Sequence, residues 1–135
     1  VFLLAKRIMM LDDDASTHVY HRELIEEAGY DLRLVESYTK VDDALFRLKT
    51  LISSKAYEEL PEVILVDLEM PAKDGWDFMD ACEKLDFGVL KPSFYIVTNS
   101  ESLDDFKRSQ EYDAVVEFKS KYLPIEFFES LSGSN

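Results

Sequence analysis

A chain of 135 residues, 47% apolar and with 28 acidic against 15 basic side chains for a formal charge of −13, has material for one domain with a sizeable core and no basic run to track a nucleic-acid backbone. The single cysteine, Cys82, excludes an intramolecular disulfide framework and fits a reducing compartment, and with only two histidines, His18 and His21, a zinc site is a poor fit. The longest apolar stretches are too short to span a bilayer and the amino end has no signal-peptide pattern, so a cytoplasmic protein without membrane insertion or direct nucleic-acid binding is expected. Acidity in itself reads as solubility.

Short apolar runs alternate with amphipathic helical stretches, which predicts an α/β fold with a doubly wound, five-stranded parallel sheet covered by helices on both faces. Residues 6–11 read as the first strand, stopped by Asp12-Asp13-Asp14. A helix follows over about 16–28, with Gly29 placed to end it. Residues 31–35, in which Leu32 and Leu34 alternate with charge, read as a half-exposed or edge strand. Ala44, Leu45, Leu48, Leu51 and Ile52 recur at helical spacing, and residues 53–61 return the chain to the sheet.

Val63-Ile64-Leu65-Val66 is apolar throughout, as a central strand buried on both faces requires. Asp67 ends it. A turn over residues 70–75 leads to a helix carrying Trp76, Phe78, Met79, Cys82 and Leu85, on which Cys82 reads as a core position. Residues 94–97 form the fourth strand, which ends at Thr98. Ser102 and Asp105 stand at capping-box spacing before the next helix. Residues 114–118 make the fifth strand, with Lys119, Ser120 and Lys121 beyond it. Pro124 can open the last helix, packed through Ile125, Phe127, Phe128 and Leu131. Residues 132–135 should fray.

In an open parallel sheet, ligands bind at the carboxyl ends of the strands. Asp12, Asp13, Asp14, Asp67, Thr98 and Lys121 all fall there. Crowded carboxylates repel one another unless a cation offsets them, and an all-oxygen set beside a phosphate suits Mg²⁺. Asp13 and Asp67 are the leading side-chain ligands. Asp12 would orient the site through water, and Asp14 could cap the first helix. A carboxylate at Asp67 can attack phosphorus to give an acyl phosphate. Mg²⁺ and Lys121 would each meet a phosphoryl oxygen, with Thr98 and backbone N–H groups on the remainder.

The segments Met10-Leu11-Asp12-Asp13-Asp14 and Val63-Ile64-Leu65-Val66-Asp67-Leu68-Glu69-Met70-Pro71-Ala72-Lys73-Asp74-Gly75-Trp76 resemble the receiver domain of bacterial two-component response regulators, of the stand-alone, CheY-like kind. The resemblance runs from about residue 6 to residue 131. It implies a flavodoxin-like fold, with residues 5–132 as the receiver domain and 133–135 as a flexible tail. It also implies that Asp67 is the phosphoacceptor and that the Glu69 backbone carbonyl joins Asp13 and Asp67 around Mg²⁺. The phosphoryl group would come from a histidine kinase or a histidine phosphotransfer protein. Slow hydrolysis would then regenerate Asp67, so the domain would catalyse its own phosphorylation and dephosphorylation while acting chiefly as a signalling protein.

Lys121 matches the family's lysine, three residues after the aromatic Phe118, with Lys119 as the alternative if the fifth strand ends earlier. Thr98 and Phe118 resemble the family's switch pair, in which the hydroxyl moves toward phosphate and the ring packs inward. Neither His18 nor His21 matches a donor role, and both read as surface or packing residues. Two departures stand out. Tyr122 replaces the usual proline after the lysine, so the Lys121–Tyr122 peptide is expected to be trans. Asn99 replaces a small residue, and its amide, with Glu69 and Ser100, would bear on access of water to the phosphoryl group.

The competing readings are a receiver-like binding module that does not use phosphorylation, and a Mg²⁺-dependent phosphatase, which lacks an evident general acid or substrate cap. Within these 135 residues no effector domain is expected after the final helix, so output would come from a protein partner, onward phosphotransfer or an interaction lost by truncation. Tyr112 and Tyr122 are candidates for a recognition surface. A monomer is expected, or a transient dimer through the last helix.

Overall fold

The computed structural model describes residues 5–131, so the expected fraying of residues 132–135 lies outside the described residues. Five strands, β1 (Ile8–Leu11), β2 (Val35–Tyr38), β3 (Val63–Val66), β4 (Ser93–Thr98) and β5 (Val115–Ser120), alternate with five helices: α1 (Ala15–Glu27), α2 (Val41–Ser53), α3 (Gly75–Cys82), α4 (Leu103–Ser109) and α5 (Ile125–Leu131). The sheet is parallel throughout, in the order β2-β1-β3-β4-β5. This is the doubly wound, flavodoxin-like architecture predicted from the alternation of patterns.

The two inner strands explain the layering. Every residue of β1 and β3 is buried, and their side chains divide by parity between two cores. Met9, Leu11, Ile64 and Val66 meet Ala44, Leu48, Phe78 and Met79 of α2 and α3. Ile8, Met10, Val63 and Leu65 meet Ile25 of α1 and Phe128 and Leu131 of α5. A strand covered on both faces has no solvent side, so it reads as a continuous apolar run. At about 25 cal/mol per Å² of apolar surface removed from water, these two layers supply the main driving force for folding.

The second strand is displaced from its predicted position. Asp31 accepts a hydrogen bond from the Arg33 N–H at 2.9 Å and its carbonyl accepts from the Leu34 N–H at 3.0 Å, so residues 32–34 form a 3-10 turn. A short acidic side chain that captures its neighbours' N–H groups competes with the ladder. Pairing therefore starts at Val35, on the sheet edge, where Val35 is the only buried position of β2. The edge expectation holds; the boundaries do not.

Other boundaries move as well. Lys6 and Arg7 precede β1, and Leu85 lies past the end of α3. The fifth strand runs two residues beyond the expected Phe118, because its ladder on β4 continues through Val97↔Lys119 and Thr98↔Ser120. An irregularity between Phe94 and Tyr95 lets Val115 and Glu117 face consecutive residues of β4, leaving Val116 unpaired and exposed.

Candidate functional site

Strand register brings the site together. Leu11 is paired with Val66, so Asp12 and Asp67 emerge side by side, each one residue past its strand, and the Asp67 N–H donates to the Leu11 carbonyl at 3.0 Å. Thr98 ends β4 opposite Ser120, and its carbonyl accepts from the Lys121 N–H at 3.1 Å. Four residues far apart in sequence thus leave the sheet at one end because their strands do.

Lys121 Nζ lies 2.7 Å from Asp12 Oδ2 and 3.2 Å from Asp67 Oδ2, and all three side chains are at least nine-tenths buried. Lys119 turns elsewhere: its ammonium pairs with Glu117 at 3.4 Å and lies over the Phe127 ring. Carboxylate oxygens of Asp12, Asp13 and Asp67 all lie within 4.8 Å of one another, with Asp13 exposed and the other two buried. Burial and the neighbouring Asp12 charge hold the Asp67 carboxyl above its ordinary value, against the pull of Lys121. Burial pulls the Lys121 ammonium down, but Asp12 and Asp67 outweigh it and hold it above the usual lysine value.

The Asp12-Asp13-Asp14 run divides its work. Asp14 caps α1, its Oδ1 accepting from the Ser16 N–H at 2.9 Å. Asp12 Oδ1 accepts from the Asp14 N–H at 2.9 Å, fixing the other edge of its carboxylate. Asp13 is left exposed at the mouth. Glu69 presents its N–H to Asp67 Oδ1 at 3.4 Å. Gly75 is required by close approach: a Cβ there would lie 2.3 Å from the Asp67 carbonyl oxygen and 2.9 Å from Leu68 Cα. The donors are all oxygen, two buried and one open to solvent, a set that suits a hard divalent cation such as Mg²⁺.

Thr98 is buried, and its Oγ1 accepts from the Ser100 N–H at 3.1 Å. Phe118, paired with Ile96, is half-buried and meets the Phe106 ring edge-on at 5.7 Å. Asn99 and Ser100 follow Thr98 in the loop before α4, and Ser100 Oγ donates to Asp105 Oδ2 at 2.6 Å. Ser102 Oγ caps α4 through the Asp105 N–H, but the Ser102 N–H goes to Ser100 Oγ, so the capping box is only half formed. Tyr112 is buried, with its hydroxyl on Asp80, whereas Tyr122 is half-exposed beside the site. Cys82 is buried and its thiol is pushed up to about 12 by burial, the core role expected.

One expectation is corrected: the Lys121–Tyr122 peptide is cis, not trans, and Lys121 Nζ reaches both carboxylates in that geometry. Of the two roles expected for the histidines, surface or packing, both take the second, buried beneath the site. His18 Nε2 donates to the Asp12 carbonyl at 2.8 Å and the Tyr38 carbonyl at 3.0 Å, tying β1 to β2 just below the carboxylates. His21 Nε2 accepts from the Leu123 N–H at 3.1 Å. The signal was present in the spacing, since His18, His21 and Ile25 form the inward stripe of α1. Thr17 joins them in the interior with its Oγ1 unpartnered.

No protein-family model and no curated protein matches the sequence. Solved structures do match. A two-component response regulator from Cytophaga hutchinsonii superposes with a TM-score of 0.77 at 21% identity, covering 95% of this chain and 94% of the other. A CheY-like response regulator receiver domain protein from Methanospirillum hungatei gives 0.69 at 21% identity, covering 93% and 89%. The chemotaxis response regulator CheY4 of Vibrio cholerae gives 0.68 at 20% identity, covering 94% of each chain. This chain has the fold of these receiver domains over nearly its whole length.

Proposed function

We propose that residues 5–132 form a phosphoacceptor signalling switch in which Asp67 takes a phosphoryl group from a phosphohistidine on a histidine kinase or a histidine phosphotransfer protein. The observation that carries this reading is the bridge Asp12–Lys121–Asp67, buried at the carboxyl end of the sheet with Asp13 beside it. Carboxylates are brought together against their mutual repulsion, around a single ammonium, at the place where such folds bind ligands.

In the transfer, a carboxylate oxygen of Asp67 forms the new P–O bond as the P–N bond of the donor breaks. Its electron pair leaves with the imidazole nitrogen. Asp13 and Asp67, with the Glu69 carbonyl and with Asp12 supporting them from behind or through water, would hold Mg²⁺, which would supply charge neutralisation for the phosphoryl oxygens. Lys121 pairs with one of those oxygens by leaving its bond to Asp67 while Asp12 keeps it in reach. Thr98 Oγ1 can donate to another when it turns from the Ser100 N–H, and the half-buried Phe118 ring can follow it inward. Phosphorylation then favours one of two arrangements of the surface around α4, β5 and α5, as a population shift requires. That surface would meet a downstream partner. Water attacking phosphorus later restores Asp67.

The fold places no helix among the described residues long and apolar enough to cross a membrane, which fits a cytoplasmic switch. The test is intact mass after exposure to phosphoramidate with Mg²⁺, beside Asp67→Asn and a sample without Mg²⁺. A single-phosphate increase that needs both Mg²⁺ and Asp67 supports the reading. No increase in folded, Mg²⁺-binding protein, with a second small phosphodonor also tried, would give way to the phosphorylation-independent binding module.

A further inference from the structure

We infer that His21 is a positioning residue for Lys121, holding the loop that carries the ammonium by accepting a hydrogen bond from the Leu123 peptide; the inference deepens the phosphoacceptor reading and rests on it. The loop is pinned at two points. On the strand side the Lys121 N–H donates to the Thr98 carbonyl at 3.1 Å. On the helix side the Leu123 N–H donates to His21 Nε2 at 3.1 Å, and that bond is buried and joins residues 102 positions apart.

The second point has no backbone substitute in view. Leu123 is 1% exposed, so its N–H has no access to solvent. Pro124, which follows, has no N–H of its own, and α5 begins only at Ile125. A buried donor must be paired, and here a side chain on α1 does the pairing. His21 is 3% exposed and is itself fixed by rings on three sides: Tyr20 at 5.9 Å, Tyr122 at 5.8 Å and Phe128 at 5.7 Å between centroids. An acceptor nitrogen bears no proton, so Nδ1 carries the ring hydrogen and the imidazole is neutral. Burial, with the nearby His18 and Lys121 charges, lowers its pKa to about 4, so the acceptor is present at neutral pH.

The consequence falls on Lys121. A long, flexible stem reaches two carboxylates only if its backbone is held, and the two pins sit on Lys121 and Leu123 with only Tyr122 between them. Without the His21 acceptor the loop would seek water for the Leu123 N–H, and the ammonium would lose its fixed origin. A simple packing residue at position 21 would need shape but no acceptor, and this distinction can be tested.

His21→Leu removes the acceptor and keeps an apolar side chain, while His21→Gln offers an amide oxygen near the Nε2 position. With phosphoramidate and saturating Mg²⁺ at neutral pH, His21→Leu should be phosphorylated about tenfold more slowly than wild type, the size set by one hydrogen bond of ordinary worth, and His21→Gln should regain most of the rate. In the metal-free protein, the Lys121 Nζ resonance should shift toward that of a free lysine in His21→Leu and stay in place in His21→Gln. Wild-type rates in a folded His21→Leu protein, or an unmoved Lys121 signal, overturn the inference. If wild type itself takes no phosphoryl group, the functional reading fails, and the Lys121 resonance alone still decides the role of His21.

Discussion

Lys121 Nζ stands 2.7 Å from Asp12 Oδ2, with both side chains less than a tenth exposed. In the absence of a metal, this ammonium is what offsets the charge of Asp12 and Asp67, and removing one partner of a buried pair leaves the other charge uncompensated. Lys121→Met should therefore destabilise the metal-free protein by about 3–5 kcal/mol. Excess Mg²⁺ should narrow the gap, because a cation bound by the same carboxylates replaces the lost charge and stabilises only the folded chain. Urea unfolding with chelator and with Mg²⁺ checks both parts; an equal loss in the two conditions would separate Lys121 from the metal site.

Asp67 carries the opposite sign of effect. Burial and Asp12 hold its carboxyl above the ordinary 3.8, so the fold favours its protonated form. The stability this contributes is complete below about pH 3.8 and is lost as pH rises through the raised folded value. At neutral pH the ionised carboxylate is a cost, and Asp67→Asn should raise the thermal midpoint of the metal-free protein while abolishing phosphorylation. The advantage should fade as the solution is acidified toward the ordinary carboxylate range. A midpoint at or below wild type at neutral pH would mean that the Lys121 contact outweighs burial and repulsion.

The inner strands were legible because burial on both faces leaves an uninterrupted apolar signature, and Val63–Val66 with Asp67 after it needed no further information. The same logic puts Asp12 and Thr98 at strand ends, whereas Lys121 is preferred over Lys119 only through the family resemblance, because the sequence alone ends the fifth strand at Phe118 and not at Ser120. What escaped depends on contacts between distant segments or on local bonds that identity alone does not reveal. The displaced second strand turns on the Asp31 side chain taking the Arg33 N–H, and the longer fifth strand turns on a bulge at Val116 that only the partner strand reveals. In the sequence His18 and His21 are indistinguishable from ordinary surface or packing residues because their acceptor and donor partners, the carbonyls of Asp12 and Tyr38 and the N–H of Leu123, are backbone groups. Backbone partners leave no mark in residue identity.

His21 also predicts a pH dependence. Its pKa falls from 6.5 to about 4 on folding, through burial first and then the His18 and Lys121 charges. A depressed folded value means that stability is complete above the unfolded value and is lost as pH falls through the window from about 6.5 to about 4. The loss amounts to about 3 kcal/mol, at roughly 1.4 kcal/mol for each tenfold difference in proton affinity between the folded and unfolded chain. His21→Gln has no such proton to take up. The difference in unfolding free energy between wild type and His21→Gln should therefore change across this window in favour of the variant on acidification, and parallel curves would assign the imidazole an ordinary pKa.

Gly75 supports the site by what it lacks. A methyl group there would lie 2.3 Å from the Asp67 carbonyl oxygen, against backbone that cannot rotate away. Gly75→Ala must push α3 from the end of β3, and overpacking of this kind costs about 1–3 kcal/mol. Because the displaced atoms belong to Asp67 and Leu68, Mg²⁺ affinity measured by titration should fall together with stability. Loss of stability with unchanged Mg²⁺ affinity would show that the strand end absorbs the strain without moving the carboxylate.

Trp76, the only tryptophan, gives an optical reading of the proposed switch. Its Nε1 donates to Asp105 Oδ1 at 3.4 Å, Asp105 Oδ2 accepts from Ser100 Oγ at 2.6 Å, and the Ser100 N–H donates to Thr98 Oγ1 at 3.1 Å. The ring also stacks on Tyr112 and lies beneath the Arg108 guanidinium. If Thr98 turns to a phosphoryl oxygen, the Ser100 N–H loses its acceptor and the chain of bonds ending on the indole must rearrange. Loading the site with beryllofluoride and Mg²⁺, a mimic of the phosphoryl group, should shift or quench Trp76 emission. Thr98→Val, which keeps the shape but not the hydroxyl, should suppress that response without preventing Mg²⁺ binding. An emission change of full size in Thr98→Val would place the origin of the signal elsewhere, in direct movement of α3 behind Asp67.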